Sequence, residues 1–242
     1  MAKDSEIITS SLLGGLTGLV HGFSTRRLGD ARREEVQQKV LQLLGLSPIN
    51  LVWPEQIHGK KIAQVAQVCR RKIVSRADGL IYRRGGRGRI VLTVHVADCV
   101  PLLFADPESG VIGAVHAGWR GTLGGISAEM IARMQRLGAK AEKILVVLGP
   151  HIKNCCYDVP PQRARQFLRF FGAEEDVVRA SGEKWYLDLG AANKRQLIAS
   201  GVLPQHIDIL PYCTSCQADN FFSYRKNSRE NFGEIMALIA SV

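Results

Sequence analysis

Three apolar runs crowd the middle of this chain, at residues 90–96, 100–104 and 111–115, and they constrain its fold more than any other feature. Runs of this length bounded by turn formers read as strands. Asp106-Pro107-Glu108-Ser109-Gly110 supplies the turn between the last two. The segments Val94-His95-Val96-Ala97-Asp98-Cys99 and Val111-Ile112-Gly113-Ala114-Val115-His116 each end on a soft or nitrogenous metal ligand. The second runs into Ala117-Gly118-Trp119-Arg120-Gly121, where glycines thin the backbone around the imidazole and Arg120 adds a cation suited to phosphate or carboxylate. His58, within Glu55-Gln56-Ile57-His58-Gly59, completes a His/Cys/His set. That is the composition of a three-ligand zinc site with its fourth position open for chemistry.

Each of these residues also has a plainer reading. Cys99 taken singly is first a buried strand thiol, and the spacing of the three ligands matches no short zinc-finger pattern. If they converge, two imidazoles and a thiolate hold Zn²⁺, which acidifies a water or polarises a substrate oxygen. Asp98 either orients a ligand and moves a proton or caps local backbone, and the residues alone do not choose. A rival enzyme class uses Cys99 as nucleophile and His116 as base, a cysteine hydrolase acting on cell-wall peptides.

With 242 residues the chain can build one large domain or two small ones. Its 46% hydrophobic and 22% charged residues are those of an ordinary globular protein. The run nearest to a membrane span is interrupted by Thr93, His95, Asp98 and Pro101. Met1-Ala2-Lys3-Asp4-Ser5-Glu6 has no secretory pattern, so a cytoplasmic protein is expected. The six cysteines (Cys69, Cys99, Cys155, Cys156, Cys213 and Cys216) are too sparse for a disulfide scaffold. Cys213-Thr214-Ser215-Cys216 without a second pair is a weak structural-zinc signal, and Cys155-Cys156 reads as core packing.

A net charge of +10 favours anionic partners. The densest basic cluster, Arg83-Arg84-Gly85-Gly86-Arg87-Gly88-Arg89, reads as a solvated hairpin loop between strands at 79–82 and 90–96. Nucleic acid is therefore not the expected partner, and a non-catalytic RNA binder stands as the second rival. No nucleotide-binding glycine loop and no nucleobase-deaminase signature is present. Gly121-Thr122-Leu123-Gly124-Gly125, ahead of a helix near Ile126, offers a softer anion site. Phe221-Phe222-Ser223-Tyr224-Arg225-Lys226, with Arg229, is suited either to stacking a purine and holding phosphate or to an aromatic core strand with solvated basic ends.

Helical periodicity places Val36, Val40, Leu43 and Leu44 on one face of a helix at 32–44. Ile126, Met130, Met134 and Leu137 mark a second helix, closed near Gly138. A third follows Pro160-Pro161, with Ala164, Phe167, Leu168 and Phe171 on one face, and a fourth spans 191–200 before Gly201. Residues 50–68 are strand-rich, and short strands are expected at 143–148 and 186–189. Strands cluster early and helices come later without strict βαβ alternation, which predicts an α+β fold.

Taken together, the motifs resemble the YfiH-like family, also called laccase-domain, polyphenol oxidase or peptidoglycan editing factor proteins. The resemblance rests on His21-Gly22-Phe23-Ser24-Thr25-Arg26, Gln56-Ile57-His58-Gly59, Ala77-Asp78-Gly79, Ala97-Asp98-Cys99-Val100-Pro101-Leu102-Leu103 and Ala114 to Gly121. Leu148-Gly149-Pro150, Cys155-Cys156-Tyr157, Leu187-Asp188-Leu189, Ala192-Asn193, Cys213-Thr214 and Phe221-Phe222-Ser223-Tyr224-Arg225 extend it, from about residue 18 to the end.

The resemblance implies one α+β domain over residues 1–242, a mixed β-sheet core flanked by helices, with zinc held by His58, Cys99 and His116. It implies purine nucleoside phosphorolysis, releasing the base from adenosine, inosine or methylthioadenosine, with adenosine deamination also attributed to the family. Copper-dependent phenol oxidation ranks lower, because multicopper chemistry wants several His-x-His pairs and this sequence has none. Asp98, Cys99 and His116 are then the expected catalytic residues, and Arg26, Gln56, Arg120, Phe222 and Arg225 the expected substrate contacts. Purine nucleoside and phosphate are the expected partners of a monomer or weak homo-oligomer without membrane attachment. The chain departs from the family pattern at Arg27-Leu28-Gly29-Asp30, at His151-Ile152-Lys153-Asn154 and at Asn227-Ser228 before Arg229, which bears on substrate preference more than on the metal set.

Overall fold

Four apolar segments become seven-residue strands buried along their whole length, and they form the middle of two sheets. The structure, a computed structural model, describes residues 5–47, 50–65, 72–74, 76–85, 89–173, 176–227 and 232–242. The first sheet runs, edge to edge, β1 (Ile7–Ile8), β2 (Leu19–Ser24), β15 (Ile235–Ser241), β7 (Ile90–Val96), β3 (Leu51–Pro54) and β5 (Lys72–Val74). The second runs β14 (Ile207–Ile209), β10 (Leu145–Leu148), β8 (Val100–Asp106), β9 (Val111–Ala117), β6 (Gly79–Arg83) and β4 (Ile62–Gln64). Both are mixed: β3 joins β7 and β5 in parallel, and β10 joins β14 in parallel, while the central pairs are antiparallel. A small antiparallel sheet of β11 (Asp158–Val159), β13 (Lys184–Leu187) and β12 (Val178–Ser181) lies beside them.

Side-chain alternation along the strands sets the layers. Leu92, Val94 and Val96 of β7 and Ala237 and Ile239 of β15 share one core with Leu103 and Ala105 of β8 and Ile112 and Ala114 of β9, so the two sheets pack face to face. The next residues along β8, Leu102 and Phe104, point the other way, toward α4 (Ile126–Arg136), α5 (Pro161–Phe171) and α6 (Leu189–Ala199) through Met130, Met134, Phe167 and Leu197. On the outer face of the first sheet, Leu51, Val91 and Leu238 meet Val36, Val40 and Leu41 of α2 (Glu34–Leu43). The result is a four-layer α/β/β/α arrangement in one α+β domain, with α1 (Ser11–Gly14) and α3 (Trp119–Leu123) as short connectors. Among the described residues no helix is long and apolar enough to cross a membrane.

Several expectations change. Leu43 is 50% exposed, because α2 ends there and Gln37, held by its amide to the Ala31 carbonyl at 2.8 Å, turns inward with Leu41 instead. The 79–82 and 90–96 runs are not a hairpin: β6 pairs with β9 and β4, whereas β7 pairs with β15 and β3 in the other sheet. Arg83, Arg84 and Arg89 are exposed as expected, and residues 86–88 of that cluster lie outside the described residues. The 106–110 turn does join the 100–104 and 111–115 runs, as the β8–β9 hairpin. Residues 121–123 of the 121–125 anion loop belong to α3, and the Thr122, Gly124 and Gly125 amides are spent on the Gly118, Arg120 and Thr122 carbonyls. Residues 221–226 form no strand, although Phe221 and Phe222 are buried.

Candidate metal centre and cavity

Antiparallel register brings three chain positions to one end of the second sheet. His116 closes β9, Cys99 immediately precedes β8, and Asp78 immediately precedes β6, with Pro101 opposite His116 and Gly79 opposite Val115. His58 arrives on the loop between β3 and β4, in a left-handed backbone conformation with φ of 56°. Such a conformation costs a non-glycine residue about 1–3 kcal/mol. The buried Asp78 carboxylate compensates by accepting the His58 and Gly59 amides at 2.8 and 2.7 Å. Gly121 of α3 lets the same loop approach closely, since a Cβ there would lie 2.6 Å from the Gly59 carbonyl oxygen.

The donor atoms of His58, Cys99 and His116 all lie within 4.8 Å of one another. The two imidazoles meet edge to face at a centroid distance of 4.8 Å. Gly118 leaves the space above them open, because a Cβ at that position would come within 3.2 Å of both Cys99 Sγ and His58 Cδ2. Asp78 Oδ1 is 3.0 Å from His116 Nδ1, the carboxylate partner that fixes the ring and leaves Nε2 free to ligate. One thiolate, two imidazoles and this supporting carboxylate fit a soft or borderline divalent metal.

Without a metal, the same groups bias Cys99 and His116 toward a thiolate–imidazolium pair, whose His116 proton a metal would displace. Burial alone would push the Cys99 thiol up, yet the His116 charge and hydrogen bonds from His116 and His58 outweigh it and bring the thiol to about 7. Burial likewise opposes charge on His116, but the Cys99 sulfur and the Asp78 carboxylate raise it to about 10. The thiolate that a metal or an electrophile requires therefore forms near neutrality.

A cavity of about 580 Å³ opens over this centre. Of the residues singled out from sequence, Gln56, His58, Asp98, Cys99, His116, Arg120 and Arg225 line it. Gln56 is tied on both sides of its amide to the backbone of His95, at 2.8 and 2.9 Å, and so anchors the His58 loop to β7. Asp98, left-handed at φ 83°, accepts from the Thr214 hydroxyl at 2.6 Å and from the Arg225 amide at 2.7 Å. Its carboxylate thus latches the C-terminal loops to the strand that precedes Cys99. Arg225 pairs with Asp158 at 2.7 Å and lies 5.1 Å from the Tyr157 ring. Arg26 and Phe222 do not line the cavity; the guanidinium stacks on the Phe222 ring at 4.9 Å and faces the Ala218 carbonyl. Arg229 falls outside the described residues.

Sequence reasoning overlooked Asp78, Trp119, Tyr157, Arg163, Phe232 and Glu234 as site residues, whereas Tyr224 belongs to the 221–226 segment offered for purine stacking. Asp78 had a signal, since Ala77-Asp78 precedes a buried strand just as Ala97-Asp98 does. Arg163 had one too: a cation in the first turn of α5 opposes the helix dipole and needs another reason to be there. Arg163 and Arg120 flank the Trp119 ring at 4.3 and 4.8 Å, which sets two guanidinium groups on the cavity wall. Tyr224, 46% exposed, and Phe232 pair edge to face at 5.2 Å and also line the cavity. The Glu234 carboxyl is raised by burial, which outweighs the charges of Arg32 and the two site histidines.

A family model described as multi-copper polyphenol oxidoreductase laccase matches residues 22–241. Adenosine deaminase RL5 of an unknown prokaryotic organism is 34% identical over 215 residues, covering 85% of this chain and 79% of its own. Purine nucleoside phosphorylase YlmD of Geobacillus stearothermophilus is 34% identical over 224 residues, 88% of this chain and 80% of its own. Purine nucleoside phosphorylase LACC1 of Homo sapiens is 30% identical over 97% of this chain, which spans 58% of that longer protein. The crystal structure of YlmD superposes with a TM-score of 0.86 over 99% of this chain and 97% of that one. Bacillus licheniformis YfiH, described as a hypothetical protein, gives a TM-score of 0.86 at 26% identity over the same shares.

Proposed function

This chain belongs to the multi-copper polyphenol oxidoreductase laccase family, and from that premise we propose that it is a zinc-dependent purine nucleoside phosphorylase acting as a single catalytic domain over residues 1–242. The observation that carries the reading is the convergence of His58, Cys99 and His116 within 4.8 Å beneath a cavity lined by arginines and aromatic rings. One His/Cys/His set with no His-x-His pair suits zinc better than a multicopper cluster. Zinc held by these three residues supplies a Lewis acid that polarises a substrate oxygen.

The chain's own residues do the rest. Asp78 keeps the proton on His116 Nδ1 and so orients its Nε2. Arg120 and Arg163, spaced by Trp119, collect the phosphate, and Arg225, steered by Asp158, borders the same space. Tyr224 and Phe232 offer ring faces for the purine. A phosphate oxygen then bonds to the anomeric carbon as the N-glycosidic bond breaks, with its electron pair leaving on the purine nitrogen. The products are the free base and ribose 1-phosphate, or the methylthio analogue.

An inosine assay with and without phosphate, on wild type and His116→Ala, tests this reading. Hypoxanthine release should require both phosphate and His116; release that ignores phosphate rejects phosphorolysis. A second reading, adenosine deamination in the same cavity, draws on the relative named for that activity. Ammonia released from adenosine without loss of ribose would select it.

A further inference from the structure

A second group of thiols lies outside the cavity. Cys155, Cys156, Cys213 and Cys216 line none of it, and their sulfur atoms all fall within 4.8 Å of one another. Core packing, expected from sequence for Cys155-Cys156, fits Cys156 but not Cys155, which is exposed; Cys213 is buried in the same core and Cys216 is exposed. Topology explains the meeting. β10 and β14 are parallel neighbours with Leu148 opposite Ile209, so the chains leaving them run side by side, and the pairing continues as a bridge between His151 and Cys213. The adjacent pair thereby supplies what the lone C-x-x-C lacked.

The four cysteines are unbonded thiols. Cys155 Sγ lies 3.5 Å from Cys213 Sγ and 3.4 Å from Cys216 Sγ, and Cys156 Sγ lies 3.3 Å from Cys216 Sγ. Four thiolates around zinc at about 2.3 Å would stand roughly 3.8 Å apart, so only small adjustments close the tetrahedron. Four sulfurs at this spacing cannot all ionise without a cation among them.

We propose that Cys155, Cys156, Cys213 and Cys216 form a closed tetrathiolate site for a structural zinc ion, clamping the segment after β10 to the segment after β14. The clamp reaches the cavity wall from outside. Thr214, next to Cys213, donates to Asp98, and Tyr157, next to Cys156, faces the cavity.

Metal counting on the full chain tests the clamp independently of the catalytic reading. Protein expressed with zinc is compared as wild type, as His58→Ala/His116→Ala and as Cys213→Ser/Cys216→Ser. The histidine variant should keep about one zinc per chain and, loaded with cobalt instead, show the sulfur-to-cobalt charge-transfer absorption of a tetrathiolate. The cysteine variant should lose that metal. If it does not fold, alkylation mapping replaces it: in the histidine variant all four thiols should resist iodoacetamide until a chelator is added. A metal-free histidine variant, four freely alkylated thiols, or disulfides among them would overturn the proposal. A wild type whose single zinc disappears with the cysteines would instead overturn the catalytic zinc while leaving the clamp intact.

Discussion

The two donor sets are built in opposite ways. His58, Cys99 and His116 come from strand ends and a strained loop, share the buried carboxylate of Asp78, and face a cavity of about 580 Å³. Cys155, Cys156, Cys213 and Cys216 come from two neighbouring loops, carry four sulfurs and no carboxylate partner among the described groups, and face away from that cavity. Three mixed ligands under an open space leave a coordination position for chemistry, whereas four thiolates fill the tetrahedron and leave none. The same metal would thus serve reaction in one place and folding in the other. What separates them is ligand number and surroundings, not the presence of cysteine.

Substitutions at the two sets should separate activity from stability. The largest effect is expected for Cys99→Ala, which should empty the cavity's metal position and reduce phosphorolysis by more than about 100-fold, since even supporting residues of such sites are worth 10–100-fold. Steady-state rates beside metal analysis check it, and near-normal turnover in the metal-free variant would return the cysteine site to open question. Asp78→Asn comes next. It keeps a partner for His116 but loses the carboxylate charge, and should weaken zinc affinity by about 10–100-fold in a chelator competition. An unchanged affinity would mean that Asp78 only shapes the His58 loop.

Cys213→Ser/Cys216→Ser should act on stability, lowering Tm by about 2–4 °C for each kcal/mol lost. Calorimetry should then show a smaller shift for Cys99→Ala, and equal shifts would erase the distinction between the sets. Gly118→Ala is a finer probe: its methyl would press within 3.2 Å of Cys99 Sγ and His58 Cδ2 and should reduce metal affinity less than Asp78→Asn does.

The smallest effect concerns histidines outside both sets. Burial lowers His21 from 6.5 to about 4, and its Nε2 accepts the Ser10 amide at 2.8 Å, so the native ring stays neutral while the unfolded one protonates. Its contribution is therefore present above pH 6.5 and is lost as pH falls toward about 4. Urea midpoints across that window should fall less steeply in His21→Gln than in wild type.

Legibility in the sequence followed how local the cause was. Helices α4, α5 and α6 were readable because each carries its own punctuation: Gly138 after the first, Pro161 at the start of the second and Gly201 after the third, although Asp188, read as strand, in fact caps α6 through the Ala191 amide. Strand β15 went unread, since Ile235–Ser241 is apolar throughout and its place beside β2 and β7 depends on partners more than 130 residues away in the chain. The metal donors His58, Cys99 and His116 were visible as residue types on strand ends. Asp78 had a local signal before β6 but no readable role, because that role arises only where β6 lies beside β9. The family resemblance put Arg26 and Phe222 among the expected substrate contacts, yet they stack on each other away from the cavity lining.

By itself the sequence determined the three apolar strands of its middle, the approximate bounds of the main helices and the kinds of ligand available, because periodicity, caps and side-chain chemistry are properties of neighbouring residues. Only the tertiary structure decided which ligands meet. Antiparallel register carries Cys99 and His116 to one sheet end, and the parallel pairing of β10 with β14 carries two unpromising cysteine pairs to one point. Such meetings are set by hydrogen-bonded register between distant segments, and no local pattern encodes that register.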